Sequence, residues 1–126
     1  MPVAMVNSYR DLLVWQRGID LVESVYKATK SFPRHEMYGL TAQLRRAAVS
    51  VPSNIAEGHG RRHLGDYLHH LSMANGSLFE LETQLLVAQR LTYLPASDAV
   101  ALSVLSGEVG RMLAGLARAL RRKLKP

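Results

Sequence analysis

The residues of this chain that could do chemistry are a line of charged and hydroxyl side chains near its middle, five histidines, and a cluster of Lys and Arg at its end. Within the run Gln43 to Gly58, QLRRAAVSVPSNIAEG, the residues Gln43, Arg46, Ser50, Ser53 and Glu57 recur at helical spacing and form one polar line. Arg46 and Glu57 could supply opposite charges and a serine could supply a nucleophile. No histidine shares that helical face to take a hydroxyl proton, and the small residues around the line suit packing. No catalytic residue is therefore expected, and Arg46 and Glu57 are read as partners in an interhelical or intersubunit polar network.

His59 and His63 stand four apart, a spacing that can place two imidazoles on one metal, and His69 and His70 follow a turn or two later. His59 lies between two glycines, however, and no carboxylate pair completes a site. A di-iron bundle needs Glu-x-x-His on each of two helices, and the chain has no such motif; the Asp66, His69 pair is no substitute. The histidines are read as surface or loop residues, with no metal site and no cofactor.

The chain holds 16 Lys and Arg against 10 Asp and Glu, a formal net charge of +6. Up to Gly110 the two signs balance, so the whole excess lies in residues 111–126. On a helical wheel Arg111, Arg118, Arg122 and Lys125 share one sector nearly opposite the apolar stripe, with Arg121 and Lys123 beside them. Such a ridge can follow a phosphate backbone and release counterions, which points to RNA or DNA. The competing reading is a solvated face whose cations suit a helix C-terminus. No aromatic residue interleaves with the arginines, so recognition through shape and backbone is expected rather than base stacking.

The elements that carry these residues are all helical. Prolines and glycines divide the chain into four segments with 3.6-residue periodicity, at about 12–31, 36–58, 63–91 and 96–123, and no strand candidate is found. Short connections require antiparallel neighbours, so the expectation is a single all-α domain over residues 1–126, an up-down-up-down four-helix bundle. The expected core stripes are Leu12, Trp15, Ile19, Val22 and Tyr26; Leu40, Leu44, Ala47, Val51 and Ile55; Tyr67, Leu71, Ala74, Leu78, Leu81, Leu85 and Ala88; and Leu105, Val109, Met112, Leu113, Leu116 and Leu120. Asp11 is expected to cap the first helix and Gly58 to end the second. Pro52 removes a donor from the second helix, which predicts a kink and a carbonyl of Ala48 without its helical partner.

A second, small-residue strip on the second helix, Ala42, Val49, Pro52 and Ala56, lies where a monomer would place polar groups. With Arg46 and Glu57 along its flank it is expected to form an oligomer interface, and Leu68, Phe79 and Leu86 of the third helix add to that case. The chain has no cysteine, no apolar run near the 18 or so residues of a membrane span is read, and MPVAMVNSYRD lacks the order of a signal peptide. A soluble cytoplasmic protein without a membrane partner is expected.

The segments LLVWQ near Leu13, FPRHEMYGLTAQLRRAA from Phe32, VPSNIAEG from Val51, ANGSLFELETQL from Ala74 and EVGRML from Glu108 occur in one order along most of the chain. In this the chain resembles the bacterial four-helix-bundle family of proteins encoded by 23S rRNA intervening sequences, also termed S23 ribosomal proteins. More distantly, through the last segment and the basic end, it is similar to the accessory variability protein of diversity-generating retroelements. The resemblance implies a small bundle assembled as a ring-like homopentamer that binds RNA or DNA and, in the retroelement branch, a reverse transcriptase. It implies no catalytic activity. The expected function is thus a non-enzymatic oligomeric nucleic-acid-binding protein, the alternative being an accessory or scaffold protein for a partner such as a reverse transcriptase.

Overall fold

The computed structural model describes residues 8–124. It contains four long helices, α1 Leu13–Thr29, α2 Leu40–His59, α3 Leu64–Arg90 and α4 Ala96–Arg122, with no strand among the described residues. Each helix packs on its two neighbours in the cycle α1, α2, α3, α4, and no diagonal pair touches. The most extensive pairing is α2 with α3, and the least is α1 with α4.

The seam expected in α3 is the one observed: Leu71, Ala74, Leu78, Leu81, Leu85 and Ala88 are buried, with Tyr67 half-buried at its start. In α2, Leu44, Ala47, Val51 and Ile55 are buried as expected, while Leu40 is only half-buried. The inward face of α1 is different. Val14, Gly18, Leu21, Val25 and Thr29 are buried, Leu12, Trp15 and Val22 flank them, and Ile19 and Tyr26 are exposed. A ranking by bulk and hydropathy passes over Gly18 and Thr29. Gly18 nevertheless faces Pro52, where an added Cβ would meet the proline Cβ at 3.4 Å, and Thr29 Oγ1 donates to the carbonyl of Val25 at 2.8 Å. In α4 the buried line is Leu102, Ser106, Val109, Leu113, Ala117 and Leu120, so Leu105, Met112 and Leu116 flank the core rather than form it. Ser106 enters the core because its hydroxyl donates to Glu82 Oε2 at 2.6 Å, which removes the cost of burying it.

Helix ends also depart from expectation. Asp11 does not cap α1; it belongs to a 3-10 turn, Tyr9–Asp11, and Leu12 precedes α1 without a side-chain cap. A second 3-10 turn, Arg34–Glu36, delays α2 to Leu40. Glu36 serves that start instead, its Oε1 accepting the Leu40 amide at 3.2 Å, where a carboxylate suits the positive end of the helix. Gly58 does not end α2, which continues to His59, and α2 runs unbroken through Pro52.

By length and composition α4 could cross a membrane, with a mean hydropathy of 1.4 over its best window, contrary to the expectation that no such segment exists. In this structure its inward line packs into the bundle. A forked ion pair ties it to α1, with Arg17 Nε donating to Glu108 Oε1 at 3.1 Å and Arg17 Nη2 to Glu108 Oε2 at 2.8 Å. This pairing raises the Arg17 pKa and lowers that of Glu108, chiefly through the shared hydrogen bonds.

Candidate nucleic-acid interface

Antiparallel packing sets residues 68–75 of α3 against residues 113–121 of α4, so the N-terminus of α3 and the C-terminus of α4 share one end of the bundle. Between the two helices runs an open groove of about 360 Å³. Its floor is apolar, formed by Leu68, Leu71, Leu113 and Ala117, and Arg118 and Arg121 stand on its rim. Leu68 therefore belongs to this groove, whereas Phe79 and Leu86 are exposed farther along α3, at 59% and 52%.

The predicted ridge divides. Arg118, Arg121, Arg122 and Lys123 are all exposed near the end of α4, and none forms an ion pair with another described residue. Arg111 is exposed two turns earlier, leans back over Gly107, and adds to the field that lowers the Glu108 pKa. Lys125 lies outside the described residues. Sequence periodicity does not find Arg61 and Arg62. Both are exposed in the connection into α3 and so belong to the same basic end. Their signal was the Arg-Arg pair itself, which becomes informative only when α3 and α4 are known to be antiparallel neighbours.

The expected interface strip on α2 also divides. Ala42, Arg46 and Val49 line a broad shallow groove together with Tyr26, Met37 and Tyr38, the last 92% exposed. Pro52 is not on an exposed strip: it is buried against Gly18 of α1, because helix packing at that crossing uses two residues without long side chains. Ala56 is half-buried and Glu57 is exposed. Arg45, adjacent to the strip, lies over the Tyr26 ring at 4.5 Å and donates through Nε to Thr29 Oγ1 at 2.9 Å, which holds the groove wall in place.

The polar line of α2 meets a partner from α3 that its own face lacks. His70, assigned to the surface from sequence, is buried at 9% exposure, and its Nδ1 lies 3.2 Å from Asn54 Oδ1 and 3.6 Å from Glu57 Oε2. Asn54 Nδ2 donates to the Ser50 carbonyl at 3.0 Å and to Ser50 Oγ at 3.1 Å, and Ser50 Oγ is 2.8 Å from Ser77 Oγ. Glu57 thus lies at the edge of this interhelical network, and Arg46 makes no contact with it. Asn54 stands between the imidazole and Ser50, and a carboxamide is no general base, so the arrangement is a hydrogen-bonded clasp rather than a nucleophile with its base. Ser50 is engaged here and not with the carbonyl of Ala48. His59 packs edge-on against Tyr67 at 5.9 Å, and among the described residues no group of three or more His, Asp or Glu is arranged to hold a metal ion.

Comparison with known proteins places this bundle. A protein of unknown function from the S23 ribosomal protein family of Bacteroides thetaiotaomicron VPI-5482 has a similar structure, with a TM-score of 0.78 and 18% sequence identity over 84% of this chain and 96% of that one. That likeness bears on the fold. No curated protein matches the sequence. The family profile described as 23S rRNA-intervening sequence protein matches residues 10–115, which takes in all of α1, α2 and α3 and most of α4. The chain belongs to the family of 23S rRNA-intervening sequence proteins.

Proposed function

We propose that this protein is a non-enzymatic, oligomeric nucleic-acid-binding protein of the cytoplasm that holds the backbone of RNA or DNA on its basic end. The observation that carries the reading is the group of exposed cations without an acidic partner, Arg118, Arg121, Arg122 and Lys123, at the end of α4. Like charges held this close favour a polyanion, because they release the counterions condensed on its phosphates as it docks. The family's link to an intervening sequence of 23S rRNA is in keeping with such a partner.

The oligomer in this reading is a homopentamer, the state implied by the resemblance. Its support is the shallow groove of Tyr26, Met37, Tyr38, Ala42 and Val49, an apolar exposed surface of the kind that a second copy covers. Symmetry would repeat the basic end and convert weak contacts into strong binding by avidity. A second reading, an accessory protein docking on a partner such as a reverse transcriptase, draws on the exposed outer face of α4, where Val100 and Val104 are 63% and 64% exposed.

Fluorescence anisotropy with a structured RNA and a duplex DNA tests the proposal. Affinity should fall steeply between about 0.05 and 0.2 M salt, and changing Arg118, Arg121 and Arg122 together to Gln should abolish it. Binding that survives the triple change would remove the basic end from the site, and salt-independent binding to a protein alone would favour the accessory reading. Light scattering should give five times the chain mass of 14.0 kDa, and a monomer would end the oligomer reading.

A further inference from the structure

The groove between α3 and α4 has more chemistry than backbone neutralisation requires. Ser72 and Asn75 line it beside the apolar floor, and neither side chain makes a hydrogen bond with another described residue. Asn75 is half-buried, with both a donor pair and an acceptor unused. Arg118 and Arg121, likewise unengaged, are three apart on one helix and so neighbours at about 5–6 Å between Cβ atoms. That spacing lets both guanidinium groups approach one phosphate or two consecutive ones. The site therefore combines an apolar floor, amide and hydroxyl groups at its side, and a cationic rim.

We infer that this groove takes a single unpaired nucleotide, its base on Leu68 and Ala114 above the buried Leu71, Leu113 and Ala117, its base edge toward Asn75 and Ser72, and its phosphate on Arg118 and Arg121. The inference rests on the nucleic-acid reading above and sharpens it, from a duplex backbone to a bulge, loop or end. At about 360 Å³ the groove is near the lower bound of small-ligand sites, about 300–1,000 Å³, which suits one nucleoside-sized group and not a docked helix. A base already unpaired gives up little stacking on entering such a site, whereas a base in a duplex must first be extruded. From the sequence, base stacking is not expected, because no aromatic residue accompanies the arginines. Here Leu68 of α3 and Ala114 of α4, over the buried Leu71 and Leu113, form an apolar seat that one helix alone lacks.

The test compares hairpins that differ only in one bulged nucleotide, in RNA and in DNA, at one salt concentration. The wild-type protein should bind the bulged hairpin about tenfold more tightly than the fully paired one, the equivalent of one base contact, and an abasic bulge should lose that preference. Ala114→Leu, at an exposed position on the groove, should bring the ratio of bulged to paired affinity to about one, with unchanged thermal unfolding to show that the bundle is intact. Equal affinity for bulged and paired hairpins, or for abasic and normal bulges, overturns the inference and leaves the backbone reading standing. Retention of the preference in Ala114→Leu overturns the assignment to this groove, and absence of salt-dependent binding to any hairpin overturns both readings.

Discussion

A Cβ added to Gly58 of α2 would stand 2.9 Å from the Cβ of His70 in α3, and 3.0 Å and 3.2 Å from Tyr67 Cδ1 and its carbonyl oxygen. The two helices touch there almost backbone to backbone, which positions His70 to meet Asn54 one turn back along α2. Two of the three obstructing atoms are a backbone oxygen and a Cβ, so relief requires a helix to move. Gly58→Ala is expected to destabilise the fold by about 1–3 kcal/mol. Gly65 and Gly76 have open space where a Cβ would go, and Ala at either should stabilise by about 0.5–1 kcal/mol through helix propensity. Urea unfolding of the three variants checks this, and equal midpoints for Gly58→Ala and Gly76→Ala would overturn the expected cost of crowding at Gly58.

Thr92 has φ of 63°, the left-handed region, at the end of α3. The Tyr93 amide donates to the Ala88 carbonyl at 2.9 Å and the Thr92 amide to the Gln89 carbonyl at 3.0 Å, a Schellman closure in which glycine is the usual residue. A β-branched side chain is strained there. Thr92→Gly should raise stability by about 1 kcal/mol, measured by thermal or denaturant unfolding. Thr92→Ala retains a Cβ and should gain less.

Two contacts set opposite limbs of the pH dependence. Arg17 holds Glu108 below its ordinary value of 4.5, so this pair stabilises the fold above that value and its contribution disappears as pH falls through the lowered one. Tyr93 donates to Glu36 Oε2 at 3.1 Å, and this hydrogen bond raises the phenol above its ordinary 10.0, so its contribution is complete below pH 10 and lost as pH rises through the raised value. Both pairs are solvent-accessible, and modest effects are expected. The melting temperature of Glu108→Gln should fall below wild type at neutral pH and converge with it in acid. Tyr93→Phe should lack the alkaline decline near and above pH 10. Parallel profiles for variant and wild type would remove these pairs from the account.

The pattern of what could be read in advance follows from what each signal measures. The α3 seam was legible because its leucines and alanines repeat every three and four residues and all of them face inward. The α1 face was not, because its closest packing uses Gly18 against Pro52, and a small residue at a tight crossing has no hydropathy signal. His70 reads as a surface residue because its side chain is polar, and the group that hydrogen-bonds it, Asn54, lies on another helix. Ser106 was missed in the same way, its partner Glu82 being on α3.

The sequence alone determined the helix count, the antiparallel order, the family, and the concentration of positive charge at the chain's end. The count, order and charge follow from local periodicity, short connections and composition, and the family from the order of its sequence segments; none of these needs knowledge of neighbours. Tertiary structure decided which faces are buried, that Pro52 is an internal contact, that His70, Asn54, Ser50 and Ser77 form one clasp between α2 and α3, and that Arg118 and Arg121 share a groove with Leu68 and Asn75. Those are relations between residues tens of positions apart, set by the angle and rotation at which helices pack, and no single helical wheel contains them.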